Sequence, residues 1–396
     1  MSIIINGGGI TGAILALMLS KLTKGDVEIS LIEKHSPYCC DAQLSLNICP
    51  PQVIALSRGA YSELIRLNVA PILSSCSTII KQVEVSEYPW FNKVLIKARD
   101  YQLSELGYVI ELNIFRKRLF DILCNQSTVT VYCPAILKKI KREKKNNIII
   151  LDNGYQIVSK LMVAADGAYS ELATNCGMQW FRWNYQQIAV VSKITTEIPH
   201  FGRAFEIFTE HGPLAVLPMS NDYSVLIWCI SDTRQKEVSI WNKNKFSQEL
   251  QNIFGWRLGK ILNVERRFFY NLWLTRAHSH ISHRLALVGN AAQSLHPVAG
   301  QGFNLGLRDI VVLSKVIVQA LYQNLDIGDY SVLNKYQKHR YLDQCRIIKI
   351  TDGLVRLFSN HHLPLVVTRK MGLFFLSYST LLKHLLVNVI LNWKTD

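Results

Sequence analysis

A chain of 396 residues is long enough for one large domain or two closely joined ones, and its 49% of hydrophobic residues against 18% charged ones excludes wholesale disorder. The 44 Lys and Arg residues outnumber the 29 Asp and Glu residues, giving a formal net charge of +15. The excess is spread along the chain apart from one basic run at 138–145. It therefore does not predict a nucleic-acid binder, and the run is explained either by a solvated hairpin flank or by attraction to anionic lipid headgroups.

The first residues of the chain and the cysteines indicate the cellular compartment of the protein. No stretch reaches the ~18 consecutive apolar residues that a membrane span needs. The opening MSIIINGGGI lacks the basic lead and the cleavage site of a signal peptide. The nine cysteines are scattered, without a CxxC pair or a Cys/His spacing suited to zinc. We therefore predict a cytoplasmic protein without structural disulfides and without a metal site.

The first predicted elements form a βαβ unit. An apolar strand at 2–6 leads into a glycine-rich turn at 7–12, and a helical pattern follows at 13–22. A second buried strand at 27–32 ends at Glu33. This order is typical of a dinucleotide-binding strand, turn and helix.

The turn has the G-x-G-x-x-G spacing at Gly7, Gly9 and Gly12. The first glycine permits the tight turn, the second lets a pyrophosphate approach the backbone, and the third lets helix and strand pack closely. The helix N-terminus then presents N–H groups to the phosphates. Glu33 is placed to accept both ribose hydroxyls and to repel a 2′-phosphate. The predicted site also includes Gly8, Ile10 and Thr11.

Two later apolar strands also end in glycine-containing turns. The strand at 160–165 runs into Asp166 and Gly167, which alone are equally typical of an ordinary turn. The strand at 285–288 runs into the segment 289–309, GNAAQSLHPVAGQGFNLGLRD. Three strands that each end in such a turn predict one parallel sheet with a ligand at its carboxyl edge.

The segment 289–309 is the most informative part of the chain. Its glycines and proline can lay successive backbone N–H groups against a ligand, and a second helix N-terminus is expected near 302–304. His296, Pro297 and Gln301 are candidate catalytic or substrate contacts, although we favour the simpler interpretation that His296 orients the loop. The candidate cofactor contacts are Gly289, Asn290, Pro297, Gly300, Gln301, Gly302, Phe303 and Asn304.

The intervening and final segments have other patterns. Alternating polar and apolar residues predict a mostly antiparallel sheet that roofs a pocket. Amphipathic helical spacing begins after Gly306. The predicted strands are 187–194, 204–209, 214–219, 223–230 and 264–272, and the predicted helices are 307–322 and 330–351.

The three glycine motifs together resemble those of the single-component FAD-dependent aromatic hydroxylases, which share the p-hydroxybenzoate hydroxylase fold. Within them the chain is similar to the ubiquinone-biosynthesis hydroxylases. The segments RAFEIFTEHGPLAVLPM and FGWRLGKI, and a third motif that begins Gly-Asn, resemble the branch of 2-octaprenyl-6-methoxyphenol hydroxylases. The resemblance covers essentially the whole chain.

The resemblance implies an α/β protein with a Rossmann-like FAD-binding domain, an inserted, mostly antiparallel sheet domain and a helical C-terminal region. The implied FAD-binding domain is 1–75, 100–178 and 280–350, the substrate-binding sheet domain is 76–99 and 179–279, and the C-terminal helices are 351–396.

The resemblance also implies a reaction. NADPH reduces FAD, the reduced flavin captures O2 as a C4a-hydroperoxide, and its distal oxygen attacks the ring of 2-polyprenyl-6-methoxyphenol. The implied partners are this polyprenyl phenol, O2, and a membrane surface or other ubiquinone-biosynthesis enzymes, with no nucleic acid. The apolar runs of 354–393 are explained either by helices packed on the catalytic body or by a peripheral contact with the inner membrane.

Two positions depart from the family pattern. Gln52 stands where the family has an Arg close to the flavin, and Ile207 stands where near relatives have a second Arg. Lys117 aligns with a residue that reaches the FAD phosphates. We expect both losses to lie beside the cofactor and to weaken its binding. A non-catalytic or weakened member of a ubiquinone-biosynthesis complex, a sister hydroxylase of the pathway, and another flavin enzyme of this fold remain alternatives.

Overall fold

The computed structural model describes residues 1–38, 50–67, 69–89 and 93–358. They form a parallel sheet, a large antiparallel sheet, two smaller sheets and the helices that pack on them. Among these residues, no helix combines the length and the apolar content needed to cross a membrane. The expected interfacial segment 354–393 lies, beyond Phe358, outside the described residues.

The strands are, in chain order, β1 (Ser2–Asn6), β2 (Glu28–Ile32), β3 (Val53–Ser57), β4 (Ser77–Ile80), β5 (Gln82–Glu87), β6 (Lys93–Lys97), β7 (Gly107–Glu111), β8 (Val129–Tyr132), β9 (Leu137–Arg142), β10 (Asn147–Leu151), β11 (Gln156–Ser159), β12 (Leu161–Ala164), β13 (Trp180–Thr196), β14 (Arg203–Thr209), β15 (Gly212–Pro218), β16 (Ser224–Ser231), β17 (Ile261–Val264), β18 (Phe268–Ala277), β19 (Ile281–Ser282), β20 (Leu285–Leu287) and β21 (Gln293–Ser294).

The helices are α1 (Ile10–Leu22), α2 (Arg58–Arg66), α3 (Ala70–Cys76), α4 (Leu112–Cys124), α5 (Glu171–Asn175), α6 (Gln235–Ile240), α7 (Lys243–Phe254), α8 (Gln301–Tyr322) and α9 (Tyr330–Phe358).

The first sheet has the strand order β19-β20-β12-β1-β2-β8. Strand β1 lies between β12 and β2 and is parallel to both, and β20 continues the parallel set beside β12. The three strands predicted to end in glycine turns are therefore neighbours, as expected. Their carboxyl ends meet at one edge, where an open α/β sheet binds its ligand. Helices α1, α4, α8 and α9 cover one face of the sheet with a continuous apolar core.

The second sheet, here called the roof sheet, has nine strands in the order β21-β18-β13-β16-β15-β14-β5-β6, with β17 paired to β13. Its predicted, mostly antiparallel character is confirmed, with β14 and β5 as a parallel pair. One face packs on α7 around Trp228 and Phe246. The strand predicted at 264–272 is wrong in detail, because it is divided into β17 and β18 around a break at 265–267.

The helix of the third motif begins close to the expected N-terminus near 302–304 and before the helical spacing that was predicted from 307. Helix α8 begins at Gln301, directly after Gly300 in the left-handed region with φ of 61°. The glycines of this segment are compatible with a helix because they allow close packing. A Cβ at Gly306 would lie 3.0 Å from the Cα of Gly289. The last helix also continues past the predicted end at 351 to Phe358.

Candidate active site

A cavity of about 920 Å³ is lined by the carboxyl edge of the parallel sheet at one end and by the roof sheet at the other. The predicted site residues on its lining are Gly9, Ile10, Thr11, Gln52, Gly289, Asn290, His296, Pro297, Gly300, Gln301, Gly302, Phe303 and Asn304. Those that are not on the lining are Gly7, Gly8, Gly12, Glu33, Lys117, Asp166 and Gly167.

The first glycine turn is built for close backbone approach. A Cβ at Gly7, which has a φ of 105°, would lie 2.5 Å from the carbonyl O of Ala165, and a Cβ at Gly12 would lie 1.9 Å from the O of Gly7. These two glycines hold the strand, turn and helix together. A Cβ at Gly9 would instead have no atom within 4 Å. The space in front of Gly9 is therefore open for a ligand at the α1 N-terminus.

Asp166 lies beside this turn and is tied to β1. The Asn6 side-chain amide donates to its Oδ2 at 2.8 Å, which explains a polar residue where a small apolar one is usual. Burial raises the pKa of Asp166, and hydrogen bonds to its carboxylate oppose that shift. Its Oδ1 is buried and accepts no hydrogen bond from the described residues. A ligand hydroxyl or an ordered water at this turn would supply that donor.

Glu33 is paired with a cation that the sequence did not single out. The Arg116 guanidinium on α4 lies 3.0 Å from Glu33 Oε1 and lines the cavity. Lys117, the predicted cation, does not face the cavity, and its Nζ lies 5.3 Å from the centre of the Tyr38 ring. On a helix, adjacent residues point about 100° apart, so only one of these two neighbours can face the site. Among the described residues, Arg116 is therefore the Lys or Arg side chain on the cavity lining.

The third motif packs on the first. A Cβ at Gly289 would lie 2.8 Å from Cγ2 of Thr11, and one at Gly300 would lie 2.9 Å from Cβ of Ala55. The Asn304 side chain fastens strand β3 to this loop, since it accepts from the Ser57 N–H at 3.1 Å and donates to the carbonyl of Ala55 at 3.1 Å. The role of Asn304 in this structure is therefore to hold the loop and the strand beside the cavity.

Asp309 stabilises the third motif by accepting hydrogen bonds, although the sequence analysis assigned it no role in the site. It is fully buried and accepts hydrogen bonds from the Gly289 N–H at 3.1 Å and from the Gln293 side chain at 2.7 Å. On its other side Arg340 and Gln344 of α9 donate to Oδ1 at 2.7 Å and 2.9 Å. The signal in the sequence was its position as the last residue of the motif segment 289–309.

His296 is held in one tautomer by its neighbour. The Gln187 amide nitrogen donates to the His211 carbonyl at 3.0 Å, so Gln187 Oε1 is the acceptor that faces His296 Nε2 at 2.9 Å. Nε2 therefore carries the proton, and Nδ1 is an acceptor. Nδ1 is buried and has no hydrogen-bond partner among the described residues. Burial lowers the pKa of His296 to about 3, so the ring is neutral at physiological pH.

We expect acid to destabilise the fold through two buried histidines. Burial lowers the pKa of His296 to about 3 and that of His280 to about 4. The unfolded chain then binds more protons than the folded one between these values and ~6.5, so stability rises with pH across that window. Urea unfolding at pH 7 and pH 5 should differ by roughly 2 kcal/mol for each histidine.

The His296→Asn and His280→Asn variants should each make this pH dependence shallower, whereas the same change at the exposed His339 serves as the control. An unchanged pH dependence in both buried-site variants would contradict the explanation.

The roof end of the cavity is almost entirely apolar. Its lining combines strands β5, β6, β14, β15 and β16 with the end of α9, and Phe208 of β14 stacks on Phe358 of α9 at 3.9 Å between ring centres. Glu206 is the acidic side chain on this part of the lining among the described residues. The apolar lining residues are Ile80, Val83, Val85, Ile96, Ala204, Phe208, Ala215, Leu217, Ile227, Leu354, Leu357 and Phe358.

Of the two positions where an Arg of the family is replaced, one does not lie beside the cavity. Ile207 is fully buried in the core between the roof sheet and α7, on the side away from the cavity. The reason is the two-residue alternation of a strand, which points Glu206 and Phe208 to the cavity and Ile207 to the opposite face. Gln52, by contrast, is exposed on the cavity lining beside the first residue of β3.

We expect Gln52→Arg to strengthen FAD binding. A guanidinium on this wall adds a charged hydrogen bond worth about 1–2 kcal/mol, which is a roughly 5- to 30-fold lower Kd. Fluorescence titration of the apoprotein with FAD measures the change. The matched control is Gln319→Arg, at an exposed position of α8 that is not on the lining. Equal FAD affinity in both variants and the wild type would count against a role for position 52.

The residues present fit FAD. The open space at Gly9 and at Gly302, where a Cβ would have no atom within 4 Å, lies at two helix N-termini that face the cavity. The unpartnered Asp166 Oδ1 and the cavity-facing Arg116 add an acceptor and a cation near the first motif. In the described part of the chain no group of His, Cys, Asp and Glu side chains is arranged to hold a metal ion.

Comparisons with known proteins agree with this geometry. Residues 142–347 match the FAD binding domain family. The ubiquinone hydroxylase UbiL of Rhodospirillum rubrum is 33% identical over 373 residues, covering 94% of this chain and 85% of the relative. The 3-demethoxyubiquinol 3-hydroxylase of Escherichia coli is 30% identical over 377 residues, covering 94% and 93%.

Solved structures show the same architecture. The p-nitrophenol 4-monooxygenase PnpA of Pseudomonas putida superposes with a TM-score of 0.80 at 14% identity, over 99% of this chain and 98% of that one. HpxO of Klebsiella pneumoniae, complexed with FAD and uric acid, superposes with a TM-score of 0.74 at 14% identity, over 99% and 96%. At such identities the likeness shows the fold, and it confirms the architecture expected from the sequence.

Proposed function

The chain belongs to the FAD-dependent monooxygenase family that contains the ubiquinone hydroxylases, and from this premise we propose that it hydroxylates the ring of 2-polyprenyl-6-methoxyphenol. The reaction balances as phenol, O2, NADPH and a proton giving the hydroxylated phenol, water and NADP⁺. FAD, when bound, supplies the transfer of electrons from NADPH to O2 and of one oxygen atom to the ring.

The observation that carries the proposal is the division of the cavity into two chemically different ends. One end has the glycine turns, helix N-termini and Arg116 that suit a dinucleotide. The roof end is lined by aliphatic and aromatic side chains, which favour a ring with a long hydrocarbon substituent over a charged or sugar-like substrate.

The chain's own residues position and desolvate the substrate. Side chains such as Phe208 and Leu217 would exclude water from the ring and from the neighbouring part of the cavity where oxygen transfer would take place. His296, neutral and fixed by Gln187, offers an acceptor at Nδ1 rather than a positive charge. Glu206 provides a carboxylate in the otherwise apolar roof, in a position to accept a hydrogen bond from the phenol hydroxyl.

The test is a product assay with purified, FAD-loaded protein. The protein is mixed with NADPH, ¹⁸O2 and a short-chain 2-prenyl-6-methoxyphenol, and the product is identified by mass spectrometry and NMR. We expect one ¹⁸O atom in the ring for each NADPH consumed. The unprenylated 2-methoxyphenol is the control and should give a much lower kcat/KM, because it leaves the apolar end unfilled.

Two results would change the proposal. NADPH oxidation that yields only hydrogen peroxide with every phenol would contradict hydroxylation of this ring. Faster turnover of a prenylated substrate of the kind named for the Escherichia coli relative would leave the chain a ubiquinone hydroxylase and replace the proposed ring position.

A further inference from the structure

The outer side of α9 carries a row of exposed cations, here called the α9 basic face. It comprises Lys335, Lys338, Arg346 and Lys349, all exposed. At about 100° per residue the four side chains fall within an arc of about 80°, so they point to one side of the helix. None of the four pairs with a carboxylate in the described part of the chain.

The carboxylates of the same helix are already engaged elsewhere. Asp343 lies 2.9 Å from Arg308 and also pairs with Arg340, so its charge is directed to the core side of α9. Asp352 lies 2.9 Å from Arg356. The α9 basic face therefore keeps its positive charge, and it is suited to an extended anionic partner.

Apolar and aromatic side chains are interleaved with these cations. Leu342, within the arc, is 75% exposed, and Ile350 and Tyr341, about 40° and about 60° outside it, are 41% and 53% exposed. Beside the helix, Phe181 and Trp183 of β13 are 50% and 47% exposed. Basic and aromatic residues side by side are typical of surfaces that lie at the lipid headgroup level of a bilayer. A partner that is bound through charge alone would not require these exposed apolar side chains.

The same helix also reaches the cavity. Its last turn places Leu354, Leu357 and Phe358 on the apolar roof end of the lining. These side chains and the α9 basic face lie on different sides of one continuous helix, from Tyr330 to Phe358. A surface bound to the basic face is thus joined to the wall of the substrate cavity by a single rigid element.

We propose that an anionic phospholipid surface docks on the α9 basic face, with Leu342 and the neighbouring aromatic side chains entering the headgroup layer. The docking brings the apolar end of the cavity to the bilayer, where a prenylated substrate resides. This purpose rests on the proposed function, but the docking itself depends only on charge and apolar exposure.

Vesicle co-sedimentation of the full-length, FAD-loaded protein tests the docking. Vesicles of phosphatidylcholine alone are compared with vesicles that also contain phosphatidylglycerol, at low and high salt. We expect binding only with the anionic lipid and its loss at high salt. The triple variant Lys338→Gln, Arg346→Gln and Lys349→Gln should bind about a hundredfold more weakly, on the order of fivefold for each cation.

The matched control is the variant Lys236→Gln, Lys243→Gln and Lys260→Gln, which removes the same charge from exposed positions on α6, on α7 and before β17, outside the basic run at 138–145. It should bind vesicles as the wild type does. Equal weakening of both triple variants would mean a net-charge effect and would overturn the proposal, as would binding that the α9 changes leave intact. The single variants Arg346→Gln and Lys349→Gln, each expected at about fivefold, keep the test decisive if the triple variant folds poorly.

Other occupants of the face give different results. Loss of RNA binding or of self-association in the α9 variant, with vesicle binding unchanged, would assign the face to a nucleic acid or a second copy and overturn the lipid proposal. Hydroxylation of a water-soluble short-chain phenol should be the same in the wild type and both triple variants. Absence of that activity in all three would count against the proposed function and leave the docking result standing.

Discussion

The Gly9→Val variant is expected to fold as an apoprotein and to lose FAD. A Cβ at this position has no protein atom within 4 Å, and Gly9 has a φ of −62° that any residue adopts. The added side chain instead occupies the space in front of the α1 N-terminus, where we expect the pyrophosphate to bind. We expect FAD affinity to fall at least about a hundredfold, or about 3 kcal/mol. The flavin-to-protein absorbance ratio and titration of the apoprotein measure it.

The same substitution three residues later is the control. Gly12→Val would place its Cβ 1.9 Å from the carbonyl O of Gly7, so helix α1 could not pack on its strand. It should lower the free energy of unfolding by several kcal/mol, roughly the cost of overpacking a core. Gly9→Val should cost less than about 1 kcal/mol, the difference between N-cap residues. Wild-type FAD retention in Gly9→Val would show that the pyrophosphate does not approach this glycine.

The N-terminal unit was predictable because all of its determinants are local. The observed β1 has the predicted bounds, and β2 begins one residue after the predicted start. The alternation of the roof strands was equally readable, since strands such as β14 and β15 have one face on a core and the other on the cavity. Such patterns depend on neighbours within a few residues, which a sequence displays directly.

The predictions were wrong where contacts between residues far apart in the sequence determine the structure. The helical spacing was predicted only from 307, yet Gly302 and Gly306 lie inside α8, and Gly306 allows the helix to pack closely on Gly289. Ile207 was expected beside the cofactor from an alignment alone, without considering which side of β14 it occupies. Whether Arg116 or Lys117 faces the cavity depends on the rotation of α4, which only its packing fixes.

A pocket under the roof sheet was predicted, but the residues of its wall were not, since they come from separate parts of the chain. Strand β5 joins β14 across more than a hundred residues of sequence, and the last turn of α9 closes the roof end. The sequence identified the flavin motifs because each is contiguous. The substrate end has no contiguous motif, and its apolar character is visible only in the assembled structure.

We expect Asp309→Leu to be the most destabilising substitution among the residues that support the third motif. The carboxylate is fully buried, and its loss leaves the 3%-exposed Arg340 without its main partner. It also removes the acceptor of the Gly289 N–H. Breaking such a buried pair from one side costs about 3–5 kcal/mol, because the buried Arg340 then keeps only the partly exposed Asp343 as its carboxylate partner among the described residues. Urea unfolding measures this loss.

A double-mutant cycle separates the charge from the packing. Arg340→Leu in the Asp309→Leu background removes the buried cation that has lost Asp309, so the double variant should be more stable than the sum of the two single losses predicts. Glu249→Leu is the control, because its pair with Lys245 is exposed and should contribute less than about 1 kcal/mol. Strictly additive losses would mean that Asp309 and Arg340 act independently. In that case the support of the Gly289 loop would come from Gln293 and backbone packing rather than from this ion pair, and flavin retention would not follow the stability of the Asp309 variants.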